Sequence, residues 1–200
     1  MVAVVRPPAW SQIPDAAVIQ ASLEHPDVFA VMYDRYAAQL YRYAYRRLGE
    51  GYAEDVVAET FAAAFAHRHR YDRARADARP WLFGVLCREI AGHLRQEQAR
   101  YRALARASGG ASTDAESVAD RVSAEVTAGA VAGRLADALA RLSTGDREVL
   151  LLVAWGELSY EEVAQALRIP VGTVRSRLHR ARGKVRDALG GVDPTTIVEE

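Results

Sequence analysis

The residues of this 200-residue chain best suited to chemistry are cations at helical spacing, and the chemistry they suit is recognition of a polyanion. Between positions 168 and 186 stand six arginines and Lys184 with no acidic residue, a local charge of +7. Between 67 and 106 ten arginines stand against Asp72, Asp77, Glu89 and Glu97, a local charge of +6. The remainder carries −13, so a formal net charge of zero conceals strong segregation. Solvated surfaces usually mix the two signs. Two basic islands in an acidic chain therefore point to two polyanion contacts separated by protein-binding or solvated surface.

In the second island Val174, Leu178, Ala181, Val185 and Leu189 recur at three- and four-residue steps, which makes them the inward face of a helix. The opposite side carries Arg175, Ser176, Arg177, His179, Arg180, Arg182, Lys184 and Arg186. A short helix, a tight turn and a second helix with a basic outer face is the geometry by which helix-turn-helix proteins enter the major groove. The first turns approach the bases, so Thr173, Arg175, Ser176, Arg177, His179 and Arg180 are the candidate DNA contacts there. An arginine held bidentate on a guanine edge is worth ~1–3 kcal/mol of discrimination. Lys184 and Arg186, farther along, suit phosphates.

The first island asks for a different mechanism. Arg68-His69-Arg70-Tyr71-Asp72-Arg73-Ala74-Arg75 mixes cations with an aromatic ring in an expected loop, a composition that can grip or stack single-stranded bases. Arg70, Tyr71, Arg73 and Arg75 are its candidates, with Tyr71 either stacking on a base or packing on its own domain. Arg88, Arg95 and Arg102 fall seven apart and form one helical stripe able to follow a phosphate backbone. Glu54, Asp55 and Glu59 are exposed-type carboxylates, and Asp55 and Glu59 share a helix face. As a metal site or an acid/base pair they lack convergent partners, since no Glu-x-x-His spacing completes them. Cys87 is the only cysteine, so neither a disulfide framework nor a thiolate zinc cage is available, and a lone helical cysteine is more often a small buried hydrophobe than a redox sensor. The expectation is no catalytic residue, no metal and no cofactor.

The elements that must position these residues are helical throughout. Val149 to Trp155 is an apolar run, Gly156-Glu157 interrupts it, and Ser159-Tyr160-Glu161-Glu162 has capping-box spacing, which predicts a helix over about 160–167. Pro170-Val171-Gly172-Thr173 opens the next. Upstream, Phe29, Met32, Tyr36, Leu40 and Tyr43, then Val57, Phe61 and Phe65, keep helical steps, and Pro80 marks the start of a third helix. No strand pattern of useful length occurs. The expected fold is all-α: a flexible extension over 1–14, a helical bundle over 15–106, a small-residue linker over 107–130, a helix-turn-helix domain over 131–189 and a loose tail over 190–200. The N-terminus lacks a signal-peptide pattern and no apolar stretch is long enough to span a membrane, so a cytoplasmic protein is expected.

Ser159-Tyr160-Glu161-Glu162-Val163-Ala164 and Ile169 through Arg182 closely resemble region 4 of bacterial sigma-70-type factors of the extracytoplasmic function (ECF) group. Ala53 through Phe61 and Arg79-Pro80-Trp81-Leu82-Phe83-Gly84-Val85 resemble region 2 of the same group, in the same order. The resemblance implies a non-enzymatic promoter-specificity subunit of RNA polymerase. Its region 2 would bind the clamp helices of the beta-prime subunit and capture unpaired bases of the −10 element; its region 4 would bind the beta flap and read the −35 duplex. On that basis Glu54, Asp55, Glu59 and Phe61 are the candidate polymerase contacts, Arg70, Tyr71, Arg73, Arg75, Arg88 and Arg95 the −10 contacts, and Thr173, Arg175, Ser176, Arg177, His179, Arg180 and Lys184 the −35 contacts. Arg88 departs from the family, which commonly has Asn there. The family also admits an anti-sigma factor as a partner. The competing reading is a free-standing dimeric helix-turn-helix regulator with a sensing or dimerising N-terminal block.

Overall fold

The computed structural model describes residues 13–107 and 129–190, in which eight α-helices and no strand occur. The expected extension, linker and tail fall largely or wholly outside these residues. The first block contains α1 (Asp15–Ala21), a 3-10 turn (Pro26–Phe29), α2 (Ala30–Leu48), α3 (Glu50–His67) and α4 (Arg79–Ala107). Gly49, at φ 81°, ends α2 and starts α3 within a single residue, a backbone region that a side chain would strain. The two helices thus fold back on each other, and α4 closes the bundle with Pro80 in its first turn. Met32, Leu40, Tyr43, Val56, Leu82, Phe83, Leu86 and Ile90 fill its core, with the Tyr43 and Phe83 rings edge-on at 5.5 Å. Asp15, buried at the start of α1, accepts hydrogen bonds from Arg35, from the Tyr36 hydroxyl and, at 2.8 Å, from the Ala78 N–H, which fixes where α4 begins.

The second block contains α5 (Gly129–Ala140), α6 (Thr144–Ala154), α7 (Tyr160–Leu167) and α8 (Val171–Ala188). Ser143 caps α6 by accepting from the Asp146 N–H. The capping box of α7 is complete: Ser159 Oγ accepts from the Glu162 N–H at 3.1 Å, and Glu162 Oε2 accepts from the Ser159 N–H at 2.7 Å. Arg168 in the left-handed region (φ 55°) stops α7, and Pro170 sets up α8. The predicted inward face of α8 is the buried one, with Val174, Leu178, Ala181, Val185 and Leu189 each at most 7% exposed.

The two blocks are not held apart. α7 lies across α4, and one hydrophobic cluster runs through both. The crossing is close because Gly84 has no side chain: a Cβ there would sit 2.5 Å from the Ala166 carbonyl oxygen. At Gly156 a Cβ would first meet the Leu152 carbonyl oxygen of its own block, at 2.7 Å, and the Phe83 ring of the other block lies 3.2 Å away.

Candidate nucleic-acid interface

On α8, Arg175, Ser176, His179, Arg180 and Lys184 are exposed, whereas Thr173 and Arg177 are half-buried. The helix is braced from α6 on its basic side. Arg180 donates to Asp146 Oδ1 at 3.0 Å, and the Arg177 guanidinium lies over Gly145, where a Cβ would come within 2.7 Å of it. Asp146 is buried at the first turn of α6, which disfavours its charge, but hydrogen bonds from Arg180 and Ser143 outweigh that and hold its carboxyl below the usual range. Arg180 is thus a structural brace in this state, with only part of its side chain open to solvent. The Ser176 hydroxyl turns back to donate to the Thr173 carbonyl at 3.1 Å. Arg175 and His179 are the residues that project from the early turns without a side-chain hydrogen bond among the described residues.

In the first block Glu54, Asp55 and Glu59 form an exposed acidic face on α3. Phe61 does not belong to that face: it is 8% exposed and its ring packs on Tyr33 at 4.9 Å, because its position on α3 points into the bundle.

The basic loop between α3 and α4 has an ordered interior and a cationic rim. Tyr71 is buried on its own domain, its hydroxyl donating to the Arg75 carbonyl at 2.7 Å and its ring edge-on to Trp81 at 5.1 Å. Burial pushes its phenol well above the ordinary value. Of the two options open for Tyr71, packing on its own domain is the arrangement found. Arg68 folds back over the Phe65 ring at 3.7 Å and serves the loop's geometry. Arg70, Arg73, Arg75, Arg88 and Arg95 remain exposed, with Arg75 paired to Asp72 at 3.1 Å. Cys87 is buried, and desolvation raises its thiol far from the thiolate range, which makes it a packing residue.

Arg70, Tyr71, Arg75, Trp81 and Arg88 line one cleft of about 470 Å³, and its far wall is made by Gln165, Ala166 and Arg168 at the end of α7. Sequence reasoning gathered Arg70, Tyr71, Arg75 and Arg88 of the near wall, did not include Trp81, and missed the far wall. It also missed Arg79, which donates to Glu162 Oε1 at 2.9 Å, to the Gly156 carbonyl at 2.8 Å and to the Glu157 carbonyl at 2.9 Å. A second bridge joins Arg47 to Glu148 at 2.7 Å, with both side chains largely buried. The one available signal was Gly84, an isolated glycine inside an apolar helix, which suggests close backbone approach.

Comparison with known proteins agrees with this two-part geometry. The family model described as Sigma-70 region 2 matches residues 32–100, and Sigma-70, region 4 matches residues 132–185. The ECF RNA polymerase sigma factor SigL of Mycobacterium tuberculosis is 35% identical over 172 residues, covering 86% of this chain and 91% of the relative. SigW of Bacillus subtilis is 31% identical over 168 residues, covering 82% and 89%. Among solved structures, CnrH in complex with the cytosolic domain of CnrY aligns over 88% of this chain and 97% of that one, with a TM-score of 0.59 and 28% identity. RpoE of Bartonella quintana, solved with the anti-sigma factor NepR, shares the fold over 81% and 96%, with a TM-score of 0.56 and 23% identity. A free-standing dimeric regulator has no use for a region 2, so that reading is not favoured. The chain belongs to the sigma-70 family, in its ECF group of RNA polymerase sigma factors.

Proposed function

We propose that the two blocks divide promoter recognition between them, residues 15–106 serving the polymerase and the −10 element and residues 131–189 the −35 element. The observation that carries this reading is the pairing of two separate basic surfaces, the cleft rim of α4 and the outer face of α8, with an acidic face on α3. On α8, Arg175 and His179 read base edges while Thr173, Ser176 and Arg177 set the reading helix against the duplex, Lys184 meets phosphate and Arg180 contributes from its pair with Asp146. On α4, Arg88 and Arg95 track the backbone of the opened strand, and Arg70, Arg73 and Arg75 surround the base that enters the cleft. Tyr71 backs that pocket through Trp81, the ring that faces the cleft. Glu54, Asp55 and Glu59 face the beta-prime clamp helices, and Phe61 supports them from beneath; region 4 takes the beta flap.

The protein acts without catalysis or cofactor of its own, in the cytoplasm, where its polymerase and promoters are. Among the described residues no helix is long and apolar enough to cross a membrane. An anti-sigma factor is a partner in this reading, supported by the likeness to CnrH, which was solved with the cytosolic domain of CnrY.

Run-off transcription tests the proposal. Core polymerase with this protein, given a pool of genomic promoter fragments, is expected to yield discrete new transcripts that share two spaced upstream elements. Failure of the protein to associate with core polymerase would overturn it.

A further inference from the structure

We infer that α1 is a positioning element for the −10 contact: its two ends pin the two ends of the basic loop, so that the loop's arginines meet the opened strand from a fixed frame, with Asp15 as the residue that sets the frame. The inference rests on the assignment of that loop to the −10 element.

The loop has reason to need a frame. Arg70, Arg73 and Arg75 stand exposed within residues 68–78, and like charges so close together repel one another. A loop ordered only by the strand it binds would give up binding free energy to that ordering. Selectivity for a base also requires that the groups around it be placed before it arrives.

The exit of the loop is held by the first residue of α1. Asp15 accepts from the Ala78 N–H at 2.8 Å, across 63 residues of sequence. Its carboxylate is buried and also accepts from Arg35 and from the Tyr36 hydroxyl, so α2 holds Asp15 while Asp15 holds the loop. The same Tyr36 hydroxyl lies 3.0 Å from Asp77 Oδ1, and that oxygen accepts from the Arg79 N–H at 2.8 Å at the start of α4. Ala78 and Asp77 are therefore both fixed at the point where the loop becomes helix.

The entry is held from the other end of α1. The carbonyl of Ser22, which caps the helix, accepts from Arg68 Nε at 3.3 Å, across 46 residues. Another nitrogen of the same guanidinium donates to the Phe65 carbonyl at 2.6 Å, and its plane lies over the Phe65 ring. Between its two ends α1 is anchored by Val18 and Ile19, each at most 1% exposed, and by the buried Ser22 hydroxyl, which donates to the Ile19 carbonyl at 2.6 Å. A short helix seated in the core in this way acts as a bar of fixed length, and its length sets the separation of the loop's ends. The bond from the Tyr71 hydroxyl to the Arg75 carbonyl then braces the span between them.

The test uses core polymerase with the full-length protein and reads two ratios. One is transcription from a promoter defined by run-off over the same promoter with a single −10 base substituted; the other is the same ratio for a single −35 base. Asp15→Asn keeps the side chain's size and removes its charge. Tyr36→Phe removes only a hydroxyl, and Arg68→Lys keeps the cation but loses the reach to two carbonyls, so these two carry the test where Asp15→Asn does not fold. The expected result is a −10 ratio about tenfold lower for Asp15→Asn, as for a loop correctly placed one-tenth of the time, and about threefold lower for each of the others. The −35 ratio and association with core stay at the wild-type level. Removing a negative charge beside the loop strengthens attraction to phosphate in general, so lower discrimination in Asp15→Asn reports lost placement and not lost attraction. A wild-type −10 ratio in all three variants would overturn the inference, and so would an equal fall in both ratios, which a merely loosened fold gives. Arg70→Ala with Arg73→Ala separates the two readings. If that double variant too leaves the −10 ratio unchanged, the assignment of the loop to the −10 element falls, and amide hydrogen exchange across residues 70–78, faster in the three variants or equal to wild type, alone decides whether α1 holds the loop.

Discussion

Arg175 and Arg180 stand five residues apart on one helix and face different tasks. Arg180 compensates the buried Asp146 carboxylate, so it is held by the protein before any DNA arrives. Arg175 projects from the early turns of α8 with no such commitment and is free to take a base edge. Arg175→Ala is therefore expected to lower transcription from −35-dependent promoters by about tenfold to a hundredfold, the equivalent of one bidentate contact, with core binding unchanged in a co-migration assay. A wild-type transcription level would remove Arg175 from the reading set. Arg88 poses the corresponding question at the other element. It is exposed at the rim of the cleft, longer and more cationic than the family's usual Asn, and a guanidinium there favours phosphate over a single base edge. Arg88→Asn should thus weaken strand binding in general while sharpening base preference, and a −10 library selected with each form should show the variant as the more selective.

At the scale of elements, α7 and α8 were legible because each is specified locally. The Ser159 to Glu162 box, the stop at Arg168 and the restart at Pro170 depend on neighbours in sequence, and the stripe from Val174 to Leu189 needs only the helical period. Tyr71 was legible as a residue of the basic loop with stacking and packing both open, because the choice depends on Trp81 and the Arg75 carbonyl meeting it in space. The brace between α6 and α8 is of the same kind. Asp146 is ionised at a depressed pKa in the folded domain, so its contribution to stability is present above the unfolded carboxylate range near about pH 4 and is lost as pH falls through the lower folded value. The melting-temperature difference between wild type and Asp146→Asn should accordingly be largest near neutrality and shrink below about pH 4. A difference that stays constant from pH 7 to pH 3 would show that Asp146 acts by shape and not by charge. In the core beneath, Leu178→Ala should cost about 2–5 kcal/mol and abolish −35 use together with the fold of region 4.

The whole molecule adds what neither block contains. Arg47 and Glu148 lie 101 residues apart, and nothing in the local pattern around either one marks a partner. Arg79, counted in sequence among the cations of the basic island, spends its charge on the start of α7. Such pairings are set by how two folded surfaces meet, which is why composition and periodicity mark two blocks and leave their contact invisible. The contact also has a thermodynamic consequence. Phe83 of region 2 packs at the turn that Gly156 opens, and the hydrophobic cluster is continuous across the crossing, so the small region 4 borrows buried surface from its neighbour. Scanning calorimetry of the free protein should therefore show a single cooperative transition in which both blocks unfold together. Gly84→Ala should split it, because the added methyl group removes the crossing while favouring α4 itself by up to about 1 kcal/mol. The expected trace has region 4 melting first, below the wild-type midpoint, and region 2 melting at or above it. One unsplit transition in the variant, with its midpoint unchanged, would mean that the crossing contributes no stability to either block.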